Sequence, residues 1–158
     1  MEGQILEGQI LVRLHRDQTE LGALLHQRWM VLRMPLGMVP GTERDKYDDT
    51  AWHGVAVHPQ KGVIGSARLR LLSEEVGSIA YVSVLSEFQY QGVGTALVKL
   101  LIAIAQHKKL KTLRVMSRMD ALKFYQRLGF TEQGIPQDYL GIPHQFMVLD
   151  LAQADCLQ

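Results

Sequence analysis

The alternation of apolar and polar positions near the N-terminus predicts a strand followed by an amphipathic helix. Residues 10–14 alternate apolar with polar, which is typical of a half-buried strand. The run from Asp17 to Glu20 has the form of a capping box, and apolar side chains then recur at helical spacing, so a helix is predicted over 18–33. Prolines and glycines end that helix and open a long loop, which continues into an acidic stretch over 43–49.

The rest of the pattern predicts a mixed sheet and two more helices. Short runs rich in β-branched and aromatic residues, separated by turn residues, indicate strands. The predicted strands are 52–58, 63–72, 78–85, 112–116, 130–133 and 145–151, and the predicted helices are 92–107 and 120–128. Antiparallel strands followed by a β-α-β unit predict an α/β fold, a single domain over 1–158 with a mixed, mostly antiparallel sheet flanked by helices.

Net charge, cysteine count and the length of apolar runs exclude some classes of protein but do not identify a function. The chain has 158 residues and a formal net charge of +1, so its charge gives no reason to expect a nucleic-acid or membrane partner. Its one cysteine, Cys156, excludes a disulfide within the chain, and we interpret it as a bystander. The longest apolar run, 97–105, is too short to span a bilayer, and no signal-peptide pattern opens the sequence, so we expect a cytoplasmic protein.

The most informative motif is a glycine-containing turn, Gln89-x-x-Gly92-x-Gly94, between a predicted strand and a predicted helix. The N-terminus of a helix offers unpaired N–H groups and the positive end of the dipole, which together bind anions. Glycines let a pyrophosphate approach the backbone because no Cβ intervenes. The turn lacks the third glycine of a dinucleotide site, where Leu97 stands, and also the Gly-Lys-Ser/Thr of a phosphate loop. On this feature alone, an anion site and a turn of simple close packing both remain open.

Longer stretches of the sequence resemble a known family. Residues 82–97 are similar to the cofactor signature of the GNAT N-acetyltransferase superfamily, and residues 121–130 resemble its second signature, Ala-x-x-Phe-Tyr-x-x-x-Gly-Phe. The run Gly-Ile-Pro-His at 141–144, followed by Met147, resembles a motif that opens the last strand in one branch of that superfamily. The first two matches occur in the expected order and at the expected spacing.

The resemblance implies the GNAT-like acyl-CoA N-acyltransferase fold, with acetyl-CoA as the acyl donor. The strand at 78–85 would splay from the strand at 112–116, and pantetheine would lie in the resulting slot. Tyr125 would act as general acid for the leaving thiolate, since an ordinary phenol pKa of ~10 allows proton exchange with a thiol; its alternative role is core packing. The implied cofactor-binding residues are Val82 and Val84 through their backbone, Gln89, Tyr90, Gln91, Gly92, Val93, Gly94 and Thr95 around the pyrophosphate, and Arg118 and Phe124 beside them.

The acceptor side is less well defined by the sequence. The same superfamily branch carries a Glu-x-Asp-x-x-Asp run, which Glu43, Asp45 and Asp48 match. These carboxylates would form an acidic wall that attracts a cationic amine, or else a solvated loop. His53 and His144 could line the acceptor pocket, although a strand histidine more often has a structural role.

Other charged positions are assigned to the surface. Lys108, Lys109, Lys111 and Arg114 form a basic cluster, which we interpret as helix-end charge and solvated side chains. No His-x-x-x-His pair stands in a predicted helix, so no metal site is predicted.

The leading functional hypothesis is an N-acetyltransferase that moves an acetyl group from acetyl-CoA to a primary amine by direct attack. A small-molecule amine is favoured over a protein amine as acceptor. The alternatives are a non-catalytic acyl-CoA sensor and an interaction module with the same fold. The sequence names neither the acceptor nor the general base, and it is compatible with a homodimer.

Overall fold

The computed structural model describes residues 3–152, and Cys156 lies outside them. The strands are β1 (Gln4–Leu6), β2 (Ile10–Leu14), β3 (Trp52–His58), β4 (Gly62–Leu71), β5 (Val76–Val84), β6 (Thr112–Arg118), β7 (Thr131–Tyr139) and β8 (Ile142–Asp150). The α-helices are α1 (Gln18–Leu32), α2 (Val93–His107) and α3 (Leu122–Arg127). None of the helices within residues 3–152 is long and apolar enough to cross a membrane.

The strands form one eight-stranded sheet in the order β1-β2-β3-β4-β5-β6-β8-β7. Every neighbouring pair is antiparallel except β5 and β6, which are joined through α2 and run parallel. The prediction of an α/β fold with a mixed, mostly antiparallel sheet flanked by helices is confirmed.

Differences between predicted and observed boundaries have physical causes. β7 and β8 form a long hairpin where the pattern predicts two shorter strands, because every residue of β7 is exposed and no apolar alternation marks it. The sequence pattern does not predict β1, whose three residues pair only at the sheet edge. The helix predicted over 120–128 is a 3-10 turn, Met119–Ala121, followed by the short helix α3.

Helix α2 packs on one face of the sheet and forms the core there. Leu97, Val98 and Leu101 have no exposed surface, and burying each such side chain stabilises the fold by ~1.5–3 kcal/mol. Gly65 of β4 lies beneath the helix, where an added Cβ would stand 3.2 Å from Val93 Cγ1. The glycine therefore lets α2 approach the strand closely.

Helix α1 covers the opposite face. It begins at Asp17, whose carboxylate accepts the Glu20 N–H at 2.9 Å, as the capping box predicts. Gln27 links it to the sheet, donating to Ser83 Oγ at 3.0 Å and accepting from Ser66 Oγ at 2.6 Å. Ser66 and Ser83 thus face α1, and the two-residue period of a strand directs their immediate neighbours toward α2.

Strands β5 and β6 separate halfway along their length. Their pairing ends at Ile79 and Val115, although β5 continues to Val84 and β6 to Arg118. The register between β4 and β5 shifts just there, and Tyr81 adopts a left-handed backbone conformation with φ of 56°. A β-bulge bends its strand and increases the local twist. The splay that the family resemblance implies is present, and the bulge accounts for it.

Candidate active site

A cavity of about 510 Å³ lies where β5 and β6 separate. Strands β4, β5, β6 and β8 contribute its floor, and the end of α1, the following loop and the β7–β8 hairpin contribute its walls. Residues predicted for the cofactor side, Val82 and Tyr125, meet here with residues predicted for the acceptor side, Asp45 and His144. The volume lies within the range of pockets that bind small ligands.

Tyr125 reaches the cavity from α3 and is almost fully buried. Its ring packs edge-on between Phe124 and Phe130, with centroid distances of 4.9 and 5.6 Å. Its hydroxyl has no hydrogen-bond partner within residues 3–152. Burial raises the pKa of Tyr125 well above its ordinary value, which corrects the assumption of an unperturbed phenol. The group stays protonated at neutral pH, as a proton donor must.

Beyond its last pair with β6, the backbone of β5 faces the split, which is the gap where the two strands separate. The Leu85 N–H donates to the Ile64 carbonyl of β4 at 2.8 Å. Since backbone groups alternate sides along a strand, those of Val84 and Val82 point away from β4. Gln89 Nε2 already donates to the Val84 carbonyl at 3.1 Å. Pantetheine would therefore compete with Gln89 for that carbonyl, a detail that the sequence does not predict.

The glycine-containing turn exposes unpaired backbone donors at the start of α2. Gly92 is the N-cap, in a left-handed conformation with φ of 85°, and no side chain caps the helix. The Ala96 N–H donates to the Gly92 carbonyl at 3.0 Å, so the N–H groups of Val93, Gly94 and Thr95 precede the first helical bond. Gln89, Tyr90 and Gln91 lead into them and are exposed. This arrangement is suited to an anion.

Two other predicted cofactor residues have different placements. Phe124 lies beside the turn, because a Cβ added at Gly94 would stand 3.5 Å from the Phe124 ring. Arg118 lies at the end of β6 opposite His144 and lines the cavity, with its Nε 3.8 Å from Asp120. The residues of the turn do not line that cavity.

Asp45 is the one predicted acidic residue that faces the cavity. Its carboxylate pairs with Arg68 and accepts hydrogen bonds from the Tyr47 N–H and the Tyr81 hydroxyl, at 2.8 and 3.1 Å. Partial burial opposes ionisation of Asp45, but these donors outweigh it and hold the pKa below its usual range. Asp45 is ionised, and its charge is already neutralised by Arg68.

The structure does not bring Glu43 to the cavity, so the expected acidic wall does not form. Glu43 is buried, and its carboxylate accepts the Gly41 N–H at 2.6 Å. Asp48 is buried between Arg28 and Arg68, with oxygen–nitrogen distances of 3.0 and 3.1 Å. Asp48 thus pairs with buried arginines and Glu43 accepts a turn N–H, so both carboxylates stabilise the fold rather than attract a cation. Within residues 3–152, no group of three or more His, Cys, Asp or Glu side chains is arranged to hold a metal ion.

The two predicted histidines have different environments. His53 is buried away from the cavity, which corrects its expected place in the acceptor pocket: its Nε2–H donates to the Asp48 carbonyl at 2.7 Å, and its Nδ1 lies 3.5 Å from Arg28 Nη2. Burial, aided by the charge of Arg28, lowers the pKa of His53. His144 does line the cavity, where its Nδ1–H donates to the Ile142 carbonyl at 2.7 Å and leaves Nε2 as an acceptor.

Stability is expected to fall as the pH is lowered from about 7.5 to about 5.5. The unfolded chain protonates His53 at an ordinary pKa of ~6.5, whereas the folded protein resists protonation, so the unfolded state binds more protons in this window. His53→Gln keeps an N–H donor for the Asp48 carbonyl and is expected to flatten this part of the profile. Chemical denaturation across the pH range measures the effect. If the slope of stability against pH is the same in His53→Gln as in the wild-type protein, the pH dependence belongs to other groups.

Comparison with known proteins identifies the fold to which this geometry belongs. Residues 60–130 match the model of the acetyltransferase (GNAT) family. ElaA from Escherichia coli superposes with a TM-score of 0.79 at 23% identity, over 89% of this chain and 99% of that one. This chain has the GNAT acyltransferase fold. An acyl-CoA N-acyltransferase from Pseudomonas aeruginosa gives a TM-score of 0.77 at 22% identity, over 89% and 99% of the two chains.

A further neighbour shares the GNAT fold and carries a ligand. It is a GNAT family acetyltransferase from Elizabethkingia anophelis with acetyl-CoA bound, with a TM-score of 0.66 at 20% identity over 89% of this chain and 97% of that one. The segment matched by the family model contains β5, the glycine-containing turn, α2, β6 and Tyr125. The match therefore covers the two strands that separate and the glycine-containing turn between β5 and α2.

Several site residues of this GNAT fold were missed by sequence reasoning. The interpretation of Arg114 as solvated surface is wrong, because it lines the cavity and its Nε is buried. Tyr81 forms the bulge and is flanked by Arg28 and Arg68, whose guanidinium carbons lie 4.2 and 4.7 Å from the ring centroid. The sequence did contain one indication of these residues: Arg68 and Arg70 share one face of β4, a strand whose only other polar side chain is Ser66.

Proposed function

We propose that the chain transfers an acetyl group from acetyl-CoA to a primary amine by direct attack. The observation that carries the proposal is that one fold combines three features. These are the split between β5 and β6, the unpaired N–H groups at the start of α2, and Tyr125 in the cavity. The fold and the matched segment support acyl transfer as the reaction class. The Gly-Ile-Pro-His run at 141–144 supports the more specific assignment to the superfamily branch that carries it.

The residues around the split suit an acyl-CoA. The N–H groups of Val93, Gly94 and Thr95 would bind the pyrophosphate. Backbone groups of Val82 and Val84, which have no partner in β6, would bind pantetheine, and Gln89 would give up its hydrogen bond to the Val84 carbonyl. The thioester would then lie near Tyr125, with the acceptor entering from the cavity side that His144 lines.

Each group has a role in a balanced reaction. The amine nitrogen attacks the thioester carbonyl, and a β5 backbone N–H stabilises the oxyanion that develops. The carbon–sulfur bond then breaks, and Tyr125 donates its proton to the departing thiolate. The amine loses one proton to water or to His144 Nε2, and a proton from solvent restores the phenol. No acyl-enzyme forms.

Coenzyme A is expected to raise the melting temperature of the protein. At 100 times its dissociation constant a ligand adds ~2.7 kcal/mol, which corresponds to about 5–10 °C for a domain of this size. Gly92→Val is expected to abolish the shift, because a β-branched residue is strained at the positive φ of this N-cap and would distort the turn. Differential scanning fluorimetry with and without coenzyme A measures both effects.

Gly62→Val is the matched control for this test. Gly62 also has a positive φ, of 75°, and open space around its Cβ position, but it is the first residue of β4, next to the β3–β4 turn. Equal loss of the coenzyme A shift in both variants would contradict a specific role for the α2 turn. Absence of a shift in the wild-type protein would refute the donor assignment. A shift without thiol release from acetyl-CoA by any amine would favour the non-catalytic sensor.

A further inference from the structure

One face of the cavity is rich in arginine and has no role in the reaction described above. Among the described residues that line the cavity, the cations are Arg33, Arg68, Arg70, Arg114 and Arg118, and Asp45 is the one carboxylate. Arg68 is neutralised by Asp45. Arg33 donates to the carbonyls of Leu32 and Thr42 and to the Tyr139 hydroxyl. Arg33 keeps its charge, but its N–H groups are already bound, so the arginines left to bind an anion are among the other three.

Arg70 and Arg114 are held in place but not neutralised. The Arg70 guanidinium carbon lies 3.7 Å from the centroid of the Tyr47 ring, and that of Arg114 lies 5.1 Å from the centroid of Phe146. Neither guanidinium makes a hydrogen bond or an ion pair with any part of the chain between residues 3 and 152, and Arg114 Nε is buried. Stacking fixes the plane of a guanidinium while leaving its N–H groups free to bind an oxyanion.

The sheet register brings the two arginines to opposite sides of one small residue. Arg70 pairs with Ser78, and Ser78 pairs in turn with Arg114, so all three side chains point from the same face of three adjacent strands. The two arginine backbones are about 10 Å apart, twice the strand spacing. Ser78 leaves the space between them open and also lines the cavity. A carboxylate or phosphate between the two side chains would receive several charge-assisted hydrogen bonds.

This face is not the one on which the phosphates of coenzyme A would bind. Gly65 of β4 contacts α2, whose N-terminus carries the unpaired N–H groups. Ser66 contacts α1 on the other side, and Arg68 and Arg70 follow it at the two-residue strand period. The arginines thus lie on the acceptor side of the sheet, where the cofactor turn does not reach the cavity.

We propose that the acceptor is an amine that also carries an anionic group, a carboxylate or a phosphate, and that Arg70 and Arg114 bind this group. The inference rests on the proposed function, because it names the class of acceptor for that reaction. From Ser78 to Val82, at the split, β5 spans roughly 13 Å. The amine and the anionic group therefore belong to one compact molecule.

The test is binding of matched amines to the full chain saturated with coenzyme A, measured by calorimetry. Each amino acid of a panel is paired with its carboxamide, and O-phosphoethanolamine is paired with ethanolamine. At least one anionic member is expected to bind about 10- to 100-fold more tightly than its neutral partner, the effect of hydrogen bonds to a charged group. The two arms of the panel distinguish a carboxylate from a phosphate.

Arg70→Gln and Arg114→Gln are expected to remove this preference while leaving the dissociation constant for coenzyme A unchanged. Arg16→Gln, at an exposed arginine outside the cavity, is the control. It should change neither the preference for anionic amines nor the dissociation constant for coenzyme A. Equal binding of anionic and neutral members, or a preference that survives both cavity substitutions, would overturn the inference. Weaker coenzyme A binding in the cavity variants would overturn it in favour of a cofactor role. Failure of the wild-type protein to bind coenzyme A at all would instead refute the proposed function.

Discussion

Tyr125→Phe is expected to lower kcat by ~100- to 10,000-fold, the usual contribution of a general acid. The substitution should hardly affect folding, because the Tyr125 hydroxyl has no hydrogen-bond partner within residues 3–152 that would be left unsatisfied. The ring itself stays between Phe124 and Phe130, so the cofactor slot keeps its shape. The change therefore removes a proton donor and little else.

Steady-state kinetics and a separate measurement of the dissociation constant for acetyl-CoA distinguish the possible roles of Tyr125. The acid role predicts a large loss of kcat with an unchanged dissociation constant. Weaker binding at near-normal turnover would show that the hydroxyl only positions the cofactor. No change in kcat or in the dissociation constant would show that Tyr125 serves only as an aromatic residue of the core. Tyr90→Phe is the control: the expected cofactor contact of Tyr90 is through its backbone N–H, which the substitution keeps, and its side chain is fully exposed.

The features that could be predicted from the sequence are those in which neighbouring residues determine the geometry. The capping box at Asp17, the glycine-containing turn before α2 and the alternation in β2 are local, so their residue types are sufficient. The splay of β5 from β6 was available only through the family resemblance. Its local cause, a bulge at Tyr81, leaves no pattern, because a tyrosine with positive φ is uncommon.

The features that could not be predicted depend on pairing between distant residues. Glu43, Asp45 and Asp48 stand within one short acidic run, yet only Asp45 faces the cavity. The other two are turned inward by partners such as Arg28, twenty residues from Asp48 in sequence. Spacing identifies a cluster of charges, but the position of the opposite charges decides whether the cluster binds a ligand or stabilises the fold.

Asp48→Asn is expected to lower the free energy of unfolding by ~3–5 kcal/mol, the cost of breaking a buried ion pair from one side. One Asp48 oxygen contacts both Arg28 Nη1 and Arg68 Nη1, at 3.0 and 3.1 Å, and the other accepts the Asp45 N–H at 2.9 Å. Asparagine has nearly the same shape but no charge, so it leaves two buried guanidinium groups with one carboxylate, Asp45, between them. Both guanidinium groups stack on Tyr81, so the bulge that opens the cofactor slot should loosen as well.

Chemical denaturation of wild-type, Asp48→Asn and Asp49→Asn proteins tests this prediction. Asp49 is the neighbouring exposed carboxylate, so its substitution removes the same charge and should cost less than ~0.5 kcal/mol. Coenzyme A affinity, measured below the melting temperature of the variant, reports separately on the slot. A loss of stability below ~1 kcal/mol for Asp48→Asn would contradict the assignment, since the Glu43 carbonyl and the Tyr81 ring would then suffice to hold Arg28 in the protein interior.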